Sequence, residues 1–235
     1  MFPELRSRIA QLGLLGPIAL FMVLGPATGA VVLAATGKLW LAGFLGLGVW
    51  KVPVFLSLTA VLAGLSLVPT HAASLLGGMA FGAFGGIGLA LVGIALAAWL
   101  GFSLLRKLCR ARALSILSQR PQLEAIHREL TAGHMLRSIG LLALIRLSPA
   151  MPFSATNLLM STTGIGLVPF LAGSVLGMSP RVVAVAWIGS TLTELDWSQA
   201  SDRRLFYLGV VATIAVLWVL RGIAKRALGQ MTREA

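Results

Sequence analysis

The residues best placed to do chemistry are two arginines that occur where the sequence is otherwise apolar. Arg146 lies inside the apolar block of residues 138–188. An arginine at the centre of a bilayer costs at least about 2.5 kcal/mol, so its presence indicates a use. It could bind a phosphate or a carboxylate in a wet cavity, or it could satisfy the carbonyl groups of a broken helix.

The second arginine of this block, Arg181, follows a Gly/Pro break that runs from Gly177 to Pro180. It could form the second half of an anion clamp with Arg146. Alternatively, its long side chain could extend to the membrane interface, where the guanidinium stays in water.

Two further polar side chains interrupt apolar sequence. Asn157 can both donate and accept hydrogen bonds, which suits either a substrate headgroup or exposed backbone at the tip of a helical hairpin. His71 is the only titratable side chain between Lys51 and Arg106, so it is either a proton carrier or a structural histidine. We therefore predict a binding site that contains Arg146, Arg181, Asn157 and His71.

The sequence contains no motif for enzymatic or metal chemistry. P-loop, GxSxG, HExxH and Rossmann fingerprints do not occur. Cys109 is the only cysteine, and His127 and His134 have no cysteine or carboxylate set around them. We expect a protein that is not an enzyme and that uses no cofactor and no metal.

Composition indicates an integral membrane protein. Hydrophobic residues make up 57% of the chain and charged residues only 11%, against about 25% charged in a soluble domain. The net charge of +12 comes from basic residues beside apolar stretches, so it reads as a topology signal and a contact to anionic lipids. We expect membrane lipids with anionic headgroups as partners and no nucleic acid, and the sequence allows a homo-oligomer.

Charge also predicts the orientation and the division of the chain. The basic segment 106–137 and the tail after residue 221 should be cytoplasmic by the positive-inside rule, as should the N-terminus, with Glu194, Asp196 and Asp202 on the opposite face. In the basic segment, the Leu123, Ile126 and Leu130 pattern predicts an interfacial helix. We divide the chain into N-terminal membrane helices (1–52), a core (53–190), and an acidic loop, last transmembrane helix and basic tail (191–235).

The two long apolar blocks, 39–105 and 138–188, do not fit simple spans. The first is too long for two simple spans, and the second must make an odd number of crossings between the cytoplasmic Arg137 and the external Glu194. Both are broken by proline and glycine, so we predict a re-entrant hairpin followed by a full span in each. Sliding the chain against itself by 80 positions pairs Pro69 with Pro149 and Gly86 with Gly166. The predicted fold is an all-α integral membrane protein with transmembrane helices plus two opposed re-entrant helical hairpins in an inverted repeat. The residues expected to shape these hairpins are Pro69, Gly78, Gly82, Pro149, Pro152, Gly177 and Pro180.

Over residues 53–190 the sequence resembles the DedA superfamily, also described as the SNARE-associated or VTT-domain family. The resemblance rests on the glycine-rich stretch 77–82, on the run 146–153 followed by Asn157, and on the run 177–181. It implies two opposed re-entrant hairpins and a role in moving lipids between leaflets, including phospholipid scrambling and recycling of polyprenyl-phosphate carriers. Proton-dependent members have acidic residues in the first hairpin, where this chain has only His71.

Together these observations predict a lipid translocase of the bacterial inner membrane that moves phospholipid or polyprenyl-phosphate headgroups through a polar cavity between the hairpins. The first alternative is a proton- or ion-coupled secondary transporter of a small solute, with a role in envelope homeostasis. A second alternative is a membrane scaffold whose working surface is the basic cytoplasmic segment.

Overall fold

A computed structural model of the chain describes residues 15–117, 135–147 and 152–194, together with the single residues 211, 215, 218, 219 and 222. Pro149, the predicted interfacial helix, the acidic loop after Glu194 and nearly all of the last predicted transmembrane helix lie outside these residues. The described part is helical and contains no strand, which confirms the all-α prediction.

The helices are α1 (Leu15–Leu45), a 3-10 turn (Gly48–Trp50), α2 (Lys51–Gly64), α3 (Thr70–Leu117), α4 (Met135–Leu147), α5 (Phe153–Thr162) and α6 (Leu167–Glu194). Two stretches, Thr70–Leu108 in α3 and Leu167–Thr193 in α6, have the length and hydropathy needed to cross a membrane. Many large apolar side chains face outward, among them Leu136, Val168 and Trp187. These features fit a chain whose surroundings are lipid.

The helix α3 doubles back on itself at Gly82. This residue has φ 72° and ψ −176°, a conformation that is essentially restricted to glycine. It divides α3 into α3a (residues 70–81) and α3b (residues 83–117). A Cβ atom built on Gly86 would lie 2.6 Å from the carbonyl oxygen of Gly77, whereas residues nine apart in a straight helix are separated by about 13 Å along the axis. The glycine-rich stretch therefore forms a tight helical hairpin, as close packing of small residues predicts.

The second half of the chain repeats this order of elements. The helices α4 and α5 are followed by a turn in which Gly164 has φ 73°, and then by the long helix α6. In both halves the first helix packs on the long one at a glycine: Thr59 contacts Gly93, and Ala143 contacts Gly177. These pairs coincide at a shift of 84 positions (59 to 143 and 93 to 177), rather than at the 80 predicted from the sequence.

The short helices pack on the long helix of the other half. On one side, Gly78 of α3a meets the backbone of α6 at Ala186, and Gly189 of α6 meets the backbone of Leu75. On the other side, α5 packs on α3b, and the largest buried apolar cluster lies between α3b, α4, α5 and α6. Its members are Ala98, Phe102, Leu142, Ile145, Met160, Ile165 and Phe170. Because α3a packs on α6 and α5 packs on α3b, the ends of both hairpins lie between α3b and α6.

Replacing Gly82 by alanine should destabilise the protein through backbone strain alone, because no atom lies within 4 Å of the added Cβ. We expect the free energy of unfolding to fall by about 1–3 kcal/mol. The measurement is thermal or denaturant unfolding of the purified protein in detergent, followed by the helical circular dichroism signal.

Gly88→Ala provides the matched control, since Gly88 lies in the interior of α3b and also has open space around its Cβ. It should leave stability unchanged or raise it by up to about 1 kcal/mol. Equal stability of the Gly82→Ala and Gly88→Ala proteins would contradict the turn described at Gly82.

Candidate functional site

The candidate site lies where α4 ends, α5 begins and the middle of α6 passes by. The N-cap of α5 is Pro152, with φ −58° and ψ 154°, so the chain is extended before α5 starts. Such a break inside an apolar core leaves helix-terminal carbonyl and amide groups without intrahelical partners. Side chains or ligands must supply those partners, because water is scarce there.

Arg146 is at the centre of this break and is only 4% exposed. Its Nη1 donates to the carbonyl oxygen of Phe153 at 3.0 Å, its Nη2 donates to Oδ1 of Asn157 at 2.5 Å, and its Nε donates to Oγ of Ser174 at 3.3 Å. One guanidinium thus ties α4 to both α5 and α6. One of the three acceptors is a backbone carbonyl, and the other two are side chains.

Two aromatic rings complete the surroundings of Arg146. The guanidinium carbon lies 4.9 Å from the ring centroid of Phe153 and 5.7 Å from that of Phe170. Both distances are within the range of cation–π attraction, which gains strength when water is excluded. The rings therefore compensate part of the cost of burying the charge.

Arg181 is half-buried and donates through Nη2 to the carbonyl oxygen of Arg146 at 3.3 Å. It thereby caps the C-terminal end of α4, where helix carbonyls carry partial negative charge. Ser174, Gly177 and Arg181 share one face of α6, because their spacing follows the helical repeat. A Cβ on Gly177 would lie 2.6 Å from Cβ of Arg146, so a glycine is needed for α4 to approach this closely.

Asn157 is 1% exposed and is held from two sides. Its Oδ1 accepts from Arg146, and its Nδ2 lies against Gly101 of α3b, where an added Cβ would be 2.8 Å away. The same Cβ would be 2.8 Å from the carbonyl oxygen of Gly64 at the end of α2. The absence of a side chain at Gly101 therefore leaves room for the C-terminal end of α2 and for the side-chain amide of Asn157 in α5.

His71 belongs to the first half of the chain and lies in the first turn of α3a. It is exposed, and it shares a helix face with Leu75 and Gly78, which contact α6. Arg181 is close enough to His71 for their charges to interact. The structure thus brings His71 to the edge of the site that the other three predicted residues form.

The site carries positive charge without an acidic partner among the described residues. Glu194 is the one carboxylate in that part of the chain, and it lies about 20 Å along α6 from Arg181. The described residues also contain no group of three His, Cys, Asp or Glu side chains that could hold a metal ion. The arrangement can attract an anion.

The other residues predicted to shape the hairpins have clear positions, except Pro149, which lies outside the described residues. Pro69 precedes α3a, Gly78 lies at the contact with α6, Gly82 forms the turn, and Pro152 is the N-cap of α5. Pro180 lies inside α6, where it cannot donate to Leu176, and the hydroxyl of Ser179 donates to that carbonyl at 2.8 Å instead.

Sequence reasoning missed Ser174, Phe153, Phe170 and Gly101. Ser174 could have been found from the sequence, because it lies two helical turns before Arg181 and on the same face of the helix. Phe153 ends the run 146–153 that carries the family resemblance, but Phe170 and Gly101 gave no signal in the sequence, because they reach the site only through helix packing.

The described residues form a helical protein with two long apolar helices and a buried cationic centre. The family model described as the VTT domain matches residues 68–191, more than half of the chain, and includes all four predicted site residues. The chain therefore belongs to the VTT-domain family, also called the DedA or SNARE-associated family, whose members are membrane proteins and not, in general, enzymes. No solved structure gives a significant match.

Gly101→Ala should displace the Asn157 amide and the end of α2, because the added Cβ would sit 2.8 Å from both. We expect a loss of about 1–3 kcal/mol in the free energy of unfolding, the usual cost of overpacking. Gly88→Ala on the same helix is the control. Unfolding experiments that find the two variants equally stable would contradict the placement of Asn157.

Proposed function

We propose that the protein moves lipids with anionic headgroups between the leaflets of a bacterial inner membrane. The observation that carries the proposal is the pair Arg146 and Arg181, placed at a helix break in the apolar core without a carboxylate partner among the described residues. A lipid phosphate would supply the missing negative charge. Downhill lipid movement needs no nucleotide, in agreement with a sequence that has no nucleotide motif.

The lengths of the helices support the proposed re-entrant hairpins. The helices α2 and α4 have 14 and 13 residues, about 20 Å each, which is too short for a hydrocarbon core of about 30 Å. The helix α6, with 28 residues, is about 42 Å long and can cross it. We infer that α2 with α3a, and α4 with α5, enter the membrane and return to the side from which they came.

The hairpins are proposed to enter from opposite sides. Arg106 of α3b donates to the carbonyl oxygen of Ile165 at 3.5 Å, so the turn between α5 and α6 lies at the basic end of α3b. The Gly82 turn lies at the other end, since α3a contacts α6 near Gly189. Positive charge favours the cytoplasm for the Arg106 end, which supports the proposed inverted repeat.

This topology puts the cationic site at mid-depth. Arg146 follows Arg137, at the start of α4, by about 14 Å along the helix, close to half the thickness of the hydrocarbon core. The N-terminus of α5 lies at Arg146 and adds partial positive charge. A headgroup would be attracted most strongly near the middle of the hydrocarbon core, where the bilayer without the protein is most unfavourable for a charged group.

The two arginines have different proposed roles. Arg146 donates hydrogen bonds to Ser174, Phe153 and Asn157, so its proposed role is to hold the site together and to contribute its charge. Arg181 is less buried, so it is the side chain proposed to contact the headgroup. The acyl chains remain in the bilayer while the headgroup passes.

Reconstitution into liposomes with fluorescent anionic or zwitterionic phospholipids tests the proposal, with dithionite reporting access to the outer leaflet. The wild type should lose signal beyond that of protein-free liposomes. Arg181→Gln should slow the anionic lipid about tenfold, because a hydrogen bond to a charged group contributes about 1.5–3 kcal/mol. Arg146→Ala should slow transport and also lower stability. Arg146→Lys keeps the charge but lacks the planar set of guanidinium donors, so it should recover only part of the transport rate and of the stability.

Lys107→Gln is the matched control, because Lys107 is an exposed cation on α3b away from the site. It removes the same charge and should leave the rate unchanged. Absence of lipid movement by correctly folded wild-type protein, or equal loss in the Lys107 and Arg181 variants, would sink the proposal.

The proximity of His71 to Arg181 also supports a second candidate, a proton- or ion-coupled transporter of a small anionic solute. The His71→Asn variant distinguishes the two candidate functions, since asparagine keeps a polar side chain that does not titrate. Lipid translocation should persist in this variant with at least half of the wild-type rate. Solute uptake that depends on a proton gradient and disappears with His71→Asn would favour the second candidate.

A further inference from the structure

An apolar cavity of about 100 Å³ lies between α1, α2 and α3a. Its walls include Leu33 and Phe44 of α1, Leu58 and Leu62 of α2, and Ala73 and Leu76 of α3a, and Thr59 is the only residue of the lining with a polar side chain. No group in these walls can hold water with the two to four hydrogen bonds that a buried water needs. The cavity therefore suits an apolar occupant.

The cavity exists because α1 is fixed at two separated points. Near one end, Gly25 and Gly29 lie against the carbonyl oxygens of Ser66 and Leu67. Toward the other end, Phe44 packs edge-on against Phe55, with ring centroids 6.2 Å apart. Between these contacts α1 passes over α2 and α3a without filling the gap.

The surroundings identify what can enter. Leu58 lines the cavity and is also 37% exposed, so the cavity reaches the outer surface of α2. That surface continues into the exposed side chains of Val61 on α2 and of Val31 and Val32 on α1. In a membrane protein this apolar surface faces the acyl chains of the bilayer. The volume is smaller than the roughly 150 Å³ cavity known to bind benzene, so it fits the end of a chain rather than a whole lipid.

We propose that this cavity is a binding site for the terminal segment of a phospholipid acyl chain. The bound segment fills the gap under α1 and holds that helix against the first hairpin. The site is separate from the arginine site, because Ala73 and Leu76 face the cavity whereas His71 and Gly78 lie on the α6 side of α3a. The proposal rests on the membrane location of the protein and not on lipid translocation.

The test uses the full chain in nanodiscs of palmitoyl-oleoyl phosphatidylcholine that contain a trace of phosphatidylcholine with a diazirine at the end of one acyl chain. After irradiation, mass spectrometry maps the adducts. Labelling at Leu58 and Leu62 should exceed labelling at the outward-facing Leu176 and Val168 of α6. Ala73→Leu fills the cavity and should reduce labelling at Leu58 and Leu62 about tenfold, the contribution expected from roughly two buried methylene groups.

Two further variants keep the test decisive. Val92→Ala changes an exposed residue of α3b and should leave the labelling pattern as in the wild type. Leu76→Ala enlarges the cavity and should raise labelling at Leu62, which decides the matter even if Ala73→Leu does not fold. Labelling at Leu58 and Leu62 no stronger than at Leu176, or unchanged in both cavity variants, would overturn the proposal.

The outcomes are separable from those of the liposome assay. Cavity labelling without lipid movement would remove the translocation proposal and leave the acyl-chain site. Lipid movement without cavity labelling would remove the acyl-chain proposal and leave the translocation proposal.

Discussion

A helix that stops inside a membrane leaves backbone carbonyl and amide groups with no water to bind, and most of this structure follows from how that need is met between α4 and α5. Arg146 donates to the backbone of Phe153 and to the side chains of Asn157 and Ser174, while Arg181 donates to the carbonyl of Arg146 itself. These bonds join three helices at one point. Glycines at positions 101 and 177 are required because the helices that carry these groups must approach to near backbone contact.

The corresponding break in the first half is closed in another way. Between α2 and α3a, the amides of Leu67 and Val68 donate to the carbonyl of Leu62 at 2.7 and 3.2 Å, so the chain's own backbone satisfies the helix end. The shift that places Gly93 on Gly177 also places Leu62 on Arg146, Ala90 on Ser174 and Ala97 on Arg181. One half is therefore sealed by backbone and apolar packing, and the other is held by charge. The two halves thus share the order of their helices, but among the described residues only the break in the second half contains a cationic centre.

This asymmetry bears on function. A guanidinium that only repaired a helix end could be replaced by a backbone turn, as the first half demonstrates, and burying its charge would then be an avoidable cost. The second arginine, half-buried, caps the C-terminal end of α4 and adds a further positive charge that no carboxylate of the described residues offsets nearby. The proposed function places the anionic headgroup of a lipid next to both charges.

The sequence alone determined the class of the protein and the identity of its unusual residues. Composition gave a helical membrane protein, and the cost of burying charge selected Arg146 and Arg181 as positions with a purpose. Gly82 and Pro152 were expected at breaks because glycine and proline have distinctive backbone preferences that act locally. These inferences succeed because composition, backbone preference and burial cost belong to residues and their near neighbours.

Only the tertiary structure decided which groups meet. Ser174, Phe153 and Phe170 surround Arg146 through the packing of α4 on α5 and α6, and Gly101 reaches Asn157 from a helix more than 50 positions earlier in the chain. The sequence shift of 80 differs from the shift of 84 that relates the contacts at Gly93 and Gly177 and from the 82 positions between the turns at Gly82 and Gly164. Contacts between distant helices depend on crossing geometry and on small differences in close packing, and no local pattern of residues encodes them.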